Sequence, residues 1–503
     1  MKNQPYIFAI VISFLSASAL SQTLPAKTTH DHFYWLGEFN KASTVMVVEQ
    51  NIVTKKMGAQ IADGVAKVIS DGDKPGAKRP NDYLQLETML IAAAGPDVTR
   101  MHSGRSRQDL LATTNRVVLR EQALELLQKV IETRARLAEL AGKHVNTIIP
   151  AYTNGVQAQP TTLAHYLLAF DAAFGRDAER LRQAYARLNL SPLGAAALGT
   201  SSFPVNRPRL AELLGFDGVV ENSYDANHVS AMDTSLELVN IAAGMALTTS
   251  AFVEDVTAQY RDTRPWMLLR EGKLTGTSSI MPQKRNPYGL ILLRQSASNV
   301  IGESHLFAIQ AHNISPGMLD YKLGQADKTI AASIGMLGKF GALLDSLVIN
   351  SQQALEEVTS EYSTTTELAD VLQRDSNVPF RVGHHFASEL VTYGRTNGLK
   401  PADLPYAEAK RIYVESAKAL GIENAELPMS EQRFRQSLDA ENMVNASLGL
   451  GGPQPAEVKR MLEAQRERVA ADQSWLSKQK TSLAAAAVKL DKAFENLRQA
   501  QAH

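Results

Sequence analysis

The sequence predicts an all-α protein organised around a central bundle of long helices. Three observations carry this. Hydrophobic residues make up 44% of the chain but aromatics only 6%, and the strong helix formers Ala and Leu are abundant. Long stretches between Val117 and residue 355 space their apolar residues at the helical period. Between Leu236 and Val253 the single charged residue is Glu237, so a helix over 232–261 needs cover on all sides. Such a helix fits the middle of a large bundle completed by other copies of the chain.

Taken in order, residues 1–21 have the layout of a secretory signal. Lys2 precedes an apolar run from Tyr6 to Leu15, then small residues ending at Ser21, where the cut is expected. That run is short for a permanent membrane anchor, so export to the periplasm is the expectation. Residues 22–116 mix short helical patterns with loops such as "SDGDKPGAKRPND" and form an N-terminal domain. Residues 117–365 form the central bundle domain, with helices expected at 117–144, 160–188, 232–261, 288–312 and 327–355. Residues 366–452 return to shorter, Pro- and Gly-punctuated elements, a small C-terminal domain. From Pro455 the extension over 453–503 reads as one long charged helix, either a solvated face with an inner stripe or an additional subunit contact. Few convincing strands are expected, and no repeat of 20 to 50 residues is apparent.

Lys+Arg and Asp+Glu are equal at 52 each, which removes the electrostatic case for a nucleic-acid or membrane partner. The absence of cysteine excludes thiol nucleophiles and cysteine metal sites. His384-His385 points two rings to different faces of a helix, favouring a structural or surface role over a metal site. His102 reads as loop support and His165 as a packed helix residue.

The stretch that carries chemistry is "LTGTSSIMPQKRNPYGLI", residues 274–291. Pro282 and Pro287 restrain its backbone, and Gly276 permits unusual dihedrals ahead of two serines. Lys284 and Asn286 suit a carboxylate, one by charge and one by amide donors. A serine here could act as a base where cations and backbone donors stabilise its alkoxide. The bland alternative is a surface loop with a capping serine.

The stretch resembles the "GSSxMPxKxNP" signature of the fumarase/aspartase superfamily. "MHSGRSRQD" (101–109) and "AYTNGVQAQPTTLAHYLLAF" (151–170) are similar to segments of its argininosuccinate lyase family. So are "PLGAAALGTSSFPVNRPRLAELLGFDGVVENSYDA" and "NVPFRVGHH". The blocks run in order from Phe39 to Gly452. The resemblance implies a three-domain, all-α fold in a homotetramer, with a twenty-helix bundle and each active site shared among three subunits. It implies release of fumarate from an N-substituted aspartate, with neither metal nor organic cofactor. Matched by position, Ser278 is the base and Lys284 stabilises the carbanion's carboxylate. Thr153, Ser279 and Asn286 hold carboxylates. Arg107, Gln108 (usually asparagine), Gln325 and Lys328 face substrate, and Tyr321 stands one position out of register with the family's tyrosine.

Several departures fall on the side of the leaving amine. Asn154 stands where the family has its active-site histidine, and Ile291 where it has the glutamate that polarises that histidine. Losing both avoids leaving one of a buried pair unsatisfied, a cost of about 1–3 kcal/mol. "NHVSAMDT" (227–234) lacks the usual arginine, and Asn40 and Ser43 are kept without the acid one turn later. The expectation is a carbon–nitrogen lyase acting on argininosuccinate or, given the altered amine side, another N-succinyl amine or amino acid. The rival is a non-catalytic scaffold reusing the tetramer, which would have no need of Ser278, Lys284 and Asn286 together.

Overall fold

The computed structural model describes residues 30–318 and 325–499; the segment 1–21, expected to be a signal, and Tyr321 lie outside them. The N-terminal part has α1 (His32–Glu49), α2 (Lys55–Gly72) and α3 (Tyr83–Ala94), capped by Asp31, Thr54 and Asp82, whose side chains accept first-turn amides. A 3₁₀ turn leads into α4 (Arg107–Lys143), which at 37 residues is about 55 Å long. It begins ten residues before the expected start because Ser106 and Asp109 form a reciprocal capping box.

The strands are few and mostly short, as expected of the all-α class. β1 (Ile148–Thr153) and β2 (Val156–Thr162) form an antiparallel hairpin closed by Asn154-Gly155. Both turn residues have positive φ, 54° and 77°, the requirement of a type I′ turn that Asn-Gly meets at low cost. The expected helix at 160 therefore starts only at Leu163, where Thr162 caps α5 (Leu163–Leu188). Short β3 (Leu190–Ser191) pairs with β4 (Gly218–Val219) around α6 (Arg207–Leu213). Then come α7 (Ser223–His228), α8 (Ser230–Gln259) and β5 (Met267–Leu269). β6 (Gly276–Thr277) and β7 (Arg285–Asn286) pair at the base of the serine loop, ahead of α9 (Tyr288–Ala311).

The helix expected over 327–355 is two helices. α10 (Ala326–Ser346) ends where Leu347-Val348-Ile349 forms β8 against β5, and Asn350 then caps α11 (Ser351–Ser360). Branched apolar residues with an extended partner prefer the ladder to another helical turn. The small C-terminal core is built by α12 (Thr365–Ser376), α13 (Phe380–Thr396), α14 (Tyr406–Ala419), α15 (Glu431–Ser437) and α16 (Ala440–Ala446). α17 (Pro455–Gln499) closes the described chain.

The five long helices α4, α5, α8, α9 and α10 share one apolar core. Side-chain bonds fix their directions. Gln122 donates to the Asp327 carbonyl and Arg136 pairs with Asp345, so α4 and α10 run parallel. Ser304 on α9 donates to the Val239 carbonyl on α8, and Lys339 on α10 to Ser296 on α9. Because β5 after α8 pairs with β8 after α10, and Gly289 at the start of α9 donates to the Leu274 carbonyl just beyond β5, α9 starts where those two helices end and runs against both. Half of the most apolar window of α8 is buried within the chain, and Leu247 on its other side is 61% exposed. α17 straps across two cores: Val458, Leu462 and Leu476 enter the bundle, Leu490 and Phe494 the N-terminal core. Arg134, fully buried on α4, binds Asp171 of α5 at 3.1 Å and Asp472 of α17 at 2.6 Å.

Candidate active site

The serine loop is held from below. Gly289 donates to the Leu274 carbonyl, and the β6–β7 rungs pair Gly276 with Asn286 and Thr277 with Arg285. A side chain at Gly276 would collide with the Tyr288 ring, so the glycine sets how closely the loop base meets α9. The Arg285 guanidinium braces the interior, donating to the Pro282 carbonyl at 2.8 Å and pairing with Glu271 at 3.0 Å. Within this frame the partly buried Ser278 Oγ accepts from the amides of Met281 (3.1 Å) and Ile280 (3.4 Å). Those donors would stabilise an alkoxide, which is the support a serine base needs. Ser279 and Lys284 are exposed on the same loop, and Asn286 lies in β7.

Thr153 and Asn154 sit at the exposed tip of the β1–β2 hairpin, docked on α11. Tyr152 OH donates to the Glu357 carboxylate, and Gln157 Nε2 donates to the Val358 carbonyl and Ser363 Oγ. Burial raises the Glu357 pKa, against the lowering effect of the tyrosine bond, with further repulsion from Asp262. Ile291 lies in the first turn of α9 and is 56% exposed. The hairpin, the serine loop and Ile291 thus all lie at one end of the bundle.

Arg107 and Gln108 occupy the opposite end, at the first positions of α4. Arg116, nine residues along, bonds Ser230 at the start of α8, and the serine loop lies beyond that helix's far end. Thirty residues of α8 put about 45 Å between the two groups within one chain. Gln325 and Lys328 lie at the start of α10, beside Gln122, about 22 Å along α4 from Arg107. The structure therefore brings Ser278, Ser279, Lys284 and Asn286 together, with Thr153 and Asn154 at the same end. It leaves Arg107, Gln108, Gln325 and Lys328 remote from them.

Several polar residues at this opposite end do structural work. Arg105, only 6% exposed, donates to Ser43 Oγ (2.9 Å), Asn40 Oδ1 (3.0 Å) and the Phe39 carbonyl. Asn40 and Ser43 are thereby engaged inside the fold. His102 stacks on Tyr83, and burial with the neighbouring Arg105 pushes its pKa down to about 3, so it stays neutral. Asn227 and His228 turn inward and bond the carbonyls of Ala196 and Ala197. His165 bridges Thr161 and the Gly451 carbonyl as a packed helix residue. His384 tilts against Phe380, and His385 faces Glu389 on the surface of α13. Sequence reasoning missed Asp109, whose buried carboxylate organises this end, although Ser-x-x-Asp ahead of a helix was the available signal.

Comparison with known proteins covers nearly the whole chain. Residues 32–302 match the family described as "Lyase", and residues 362–445 the "Argininosuccinate lyase C-terminal" family. The chain is 33% identical over 468 residues to an argininosuccinate lyase of Methanosarcina barkeri, covering 91% of this chain and 90% of the relative. It belongs to the argininosuccinate lyase family of the fumarase/aspartase superfamily. The Anoxybacillus flavithermus argininosuccinate lyase is 32% identical over 86% of this chain and 92% of its own. Among solved structures, EDDS lyase in complex with formate superposes with a TM-score of 0.84 at 30% identity, covering 93% and 92% of the two chains. The class II fumarase of Schistosoma mansoni shares the fold, at a TM-score of 0.62, 14% identity and 84% and 93% coverage. As a member of the argininosuccinate lyase family, the chain is a fumarate-eliminating carbon–nitrogen lyase.

Proposed function

We propose that the substrate is an N-substituted aspartate whose amine differs from the arginine half of argininosuccinate. Ser278 removes the proton from the carbon next to the one bearing nitrogen. The electron pair spreads into the adjoining carboxylate, which Lys284 stabilises while Thr153, Ser279 and Asn286 hold carboxylate oxygens. Collapse to the double bond breaks the C–N bond of the protonated amine, which leaves as the neutral amine beside fumarate, and the proton taken by Ser278 passes to solvent. The observation that carries the proposal is the Ser278 hydroxyl, fed by two amides in a loop that keeps Lys284 and Asn286. The altered amine side supports a different leaving group. Asn154 is spent on a turn, Ile291 is apolar, and Asn40 and Ser43 are bound to Arg105. The likeness to EDDS lyase supports an amine- or amino-acid-substituted succinate.

Each site is assembled from several copies in a homotetramer, with Arg107, Gln108, Gln325, Lys328 and Tyr321 coming from neighbouring chains. The 45 Å between half-sites and the exposed Leu247, Leu306 and Ile309 of the bundle helices support this. The N-terminal pattern supports export to the periplasm, where arginine synthesis is not expected; sequencing the mature N-terminus tests that. For the reaction, fumarate absorbance is followed with argininosuccinate and with other N-substituted aspartates, ethylenediamine-disuccinate among them. Turnover of one of the others well above argininosuccinate is expected. Efficient argininosuccinate cleavage overturns the altered amine, and no fumarate from any candidate overturns the substrate class.

A further inference from the structure

Arg107 and Gln108 sit on a helix start that is tied to a second loop by one buried carboxylate. Asp109 is completely buried. Its Oδ1 accepts the Ser106 amide at 2.8 Å, closing the capping box. Its Oδ2 accepts the amides of Gly194 (2.8 Å) and Ala196 (3.3 Å) in another family-matched segment, 85 positions away for Gly194. That loop is held in a backbone it would not choose. Ala196 and Thr200 have φ of 53° and 60°, unfavourable for residues with a Cβ. Asn227 and His228 hold its carbonyls from the other side. The two loops abut so closely that a side chain at Gly104 would collide with Val205. The charged groups facing Asp109 are Arg105 on its own loop and Arg207 at the start of α6.

We propose that Asp109 is a positioning residue for the reaction, whose ionised carboxylate clasps the 194–200 loop to the α4 start and so fixes Arg107 and Gln108 for substrate. This rests on the assignment of Arg107 and Gln108 to substrate binding. The carboxylate touches no substrate; it acts through the helix start. Burial pushes its pKa up to about 7, so the clasp loses acceptor capacity as pH falls through that value.

Asp109→Asn is compared with Arg107→Gln by steady-state kinetics across pH and by amide hydrogen exchange of residues 190–205. In Asp109→Asn the 190–205 segment is expected to exchange faster, and KM to rise about tenfold or more with a smaller change in kcat. The fall of kcat/KM below a pH near 7, present in the parent and in Arg107→Gln, is expected to vanish. Unchanged exchange overturns the clasp. Faster exchange with parental KM and pH profile, while Arg107→Gln raises KM, overturns the positioning role alone. An Arg107→Gln variant with parental KM sinks the substrate assignment of Arg107, and the positioning role falls with it.

Discussion

Two residues at the site take opposite kinds of substitution. Ser278 is defined by what its oxygen receives, so Ser278→Ala removes the base without disturbing the ladder beneath it. A loss of about 10²–10⁴ in kcat is expected, with unchanged circular dichroism and oligomer size. Asn154 is defined by its own backbone. At φ 54° a residue with an ordinary Cβ costs about 1–2 kcal/mol, a cost that Asn reduces and Gly escapes. Asn154→Ala should therefore lower the melting temperature, and Asn154→Gly should not. A turn lost in both variants equally would show that the side chain, not the backbone, sets this position. Asp109 adds a pH effect with an unusual sign. Its pKa is raised on folding, so the native state binds the proton more tightly than the unfolded chain does. The stability it contributes is complete below the ordinary carboxyl range near pH 4 and is lost as pH rises to about 7. The proposed clasp works in its ionised form, so activity and this part of stability are expected to move in opposite directions across the same window.

Among the elements, the C-terminal helix gives the sharpest test of packing. Arg134 sits between the buried carboxylates of Asp171 and Asp472, the second of which also pairs with Arg182. Arg134→Met keeps the aliphatic stem but strands the buried Asp171 and leaves Asp472 only its 3.3 Å pair with Arg182, a cost of about 3–5 kcal/mol. The melting temperature at fixed protein concentration should fall sharply and recover partly at acid pH, where the stranded carboxyls take up protons. A small, pH-independent change would mean that α17 is not held through this cluster. Elements also show what the chain made legible. The helices α8 and α9 were readable from period and apolarity, and the serine loop from its residues. The capping box before α4 and the Asn-Gly turn were written locally. β8 was not, because Leu347-Val348-Ile349 continues a helical pattern and becomes a strand only beside Met267–Leu269. The Asp109 clasp was equally hidden, since its partners at Gly194 and Ala196 are set by tertiary contact.

For the whole molecule, the decisive length is the bundle itself. One chain holds Ser278, the proposed base, and Arg107 about 45 Å apart, too far for any single substrate to bridge. Parallel and antiparallel helices packed around apolar faces allow neighbouring copies to bring opposite ends together, and the exposed side of α8 offers such a face. Leu247→Asp places a charge in the middle of that face, so it is expected to break the assembly and abolish activity together, read by sedimentation and fumarate release. Mixing provides the more discriminating measurement. Ser278→Ala is expected to be nearly inactive alone, and Arg107→Gln to turn over with a raised KM and so only weakly at low substrate. Dissociated together and reassembled, they should form some sites that take an intact Ser278 from one copy and an intact Arg107 from another. Activity at low substrate rising above the sum of the two variants only after co-assembly is the expected result. Mixed oligomers with no regained activity would mean that the two half-sites never meet across chains, and the shared site would have to be abandoned.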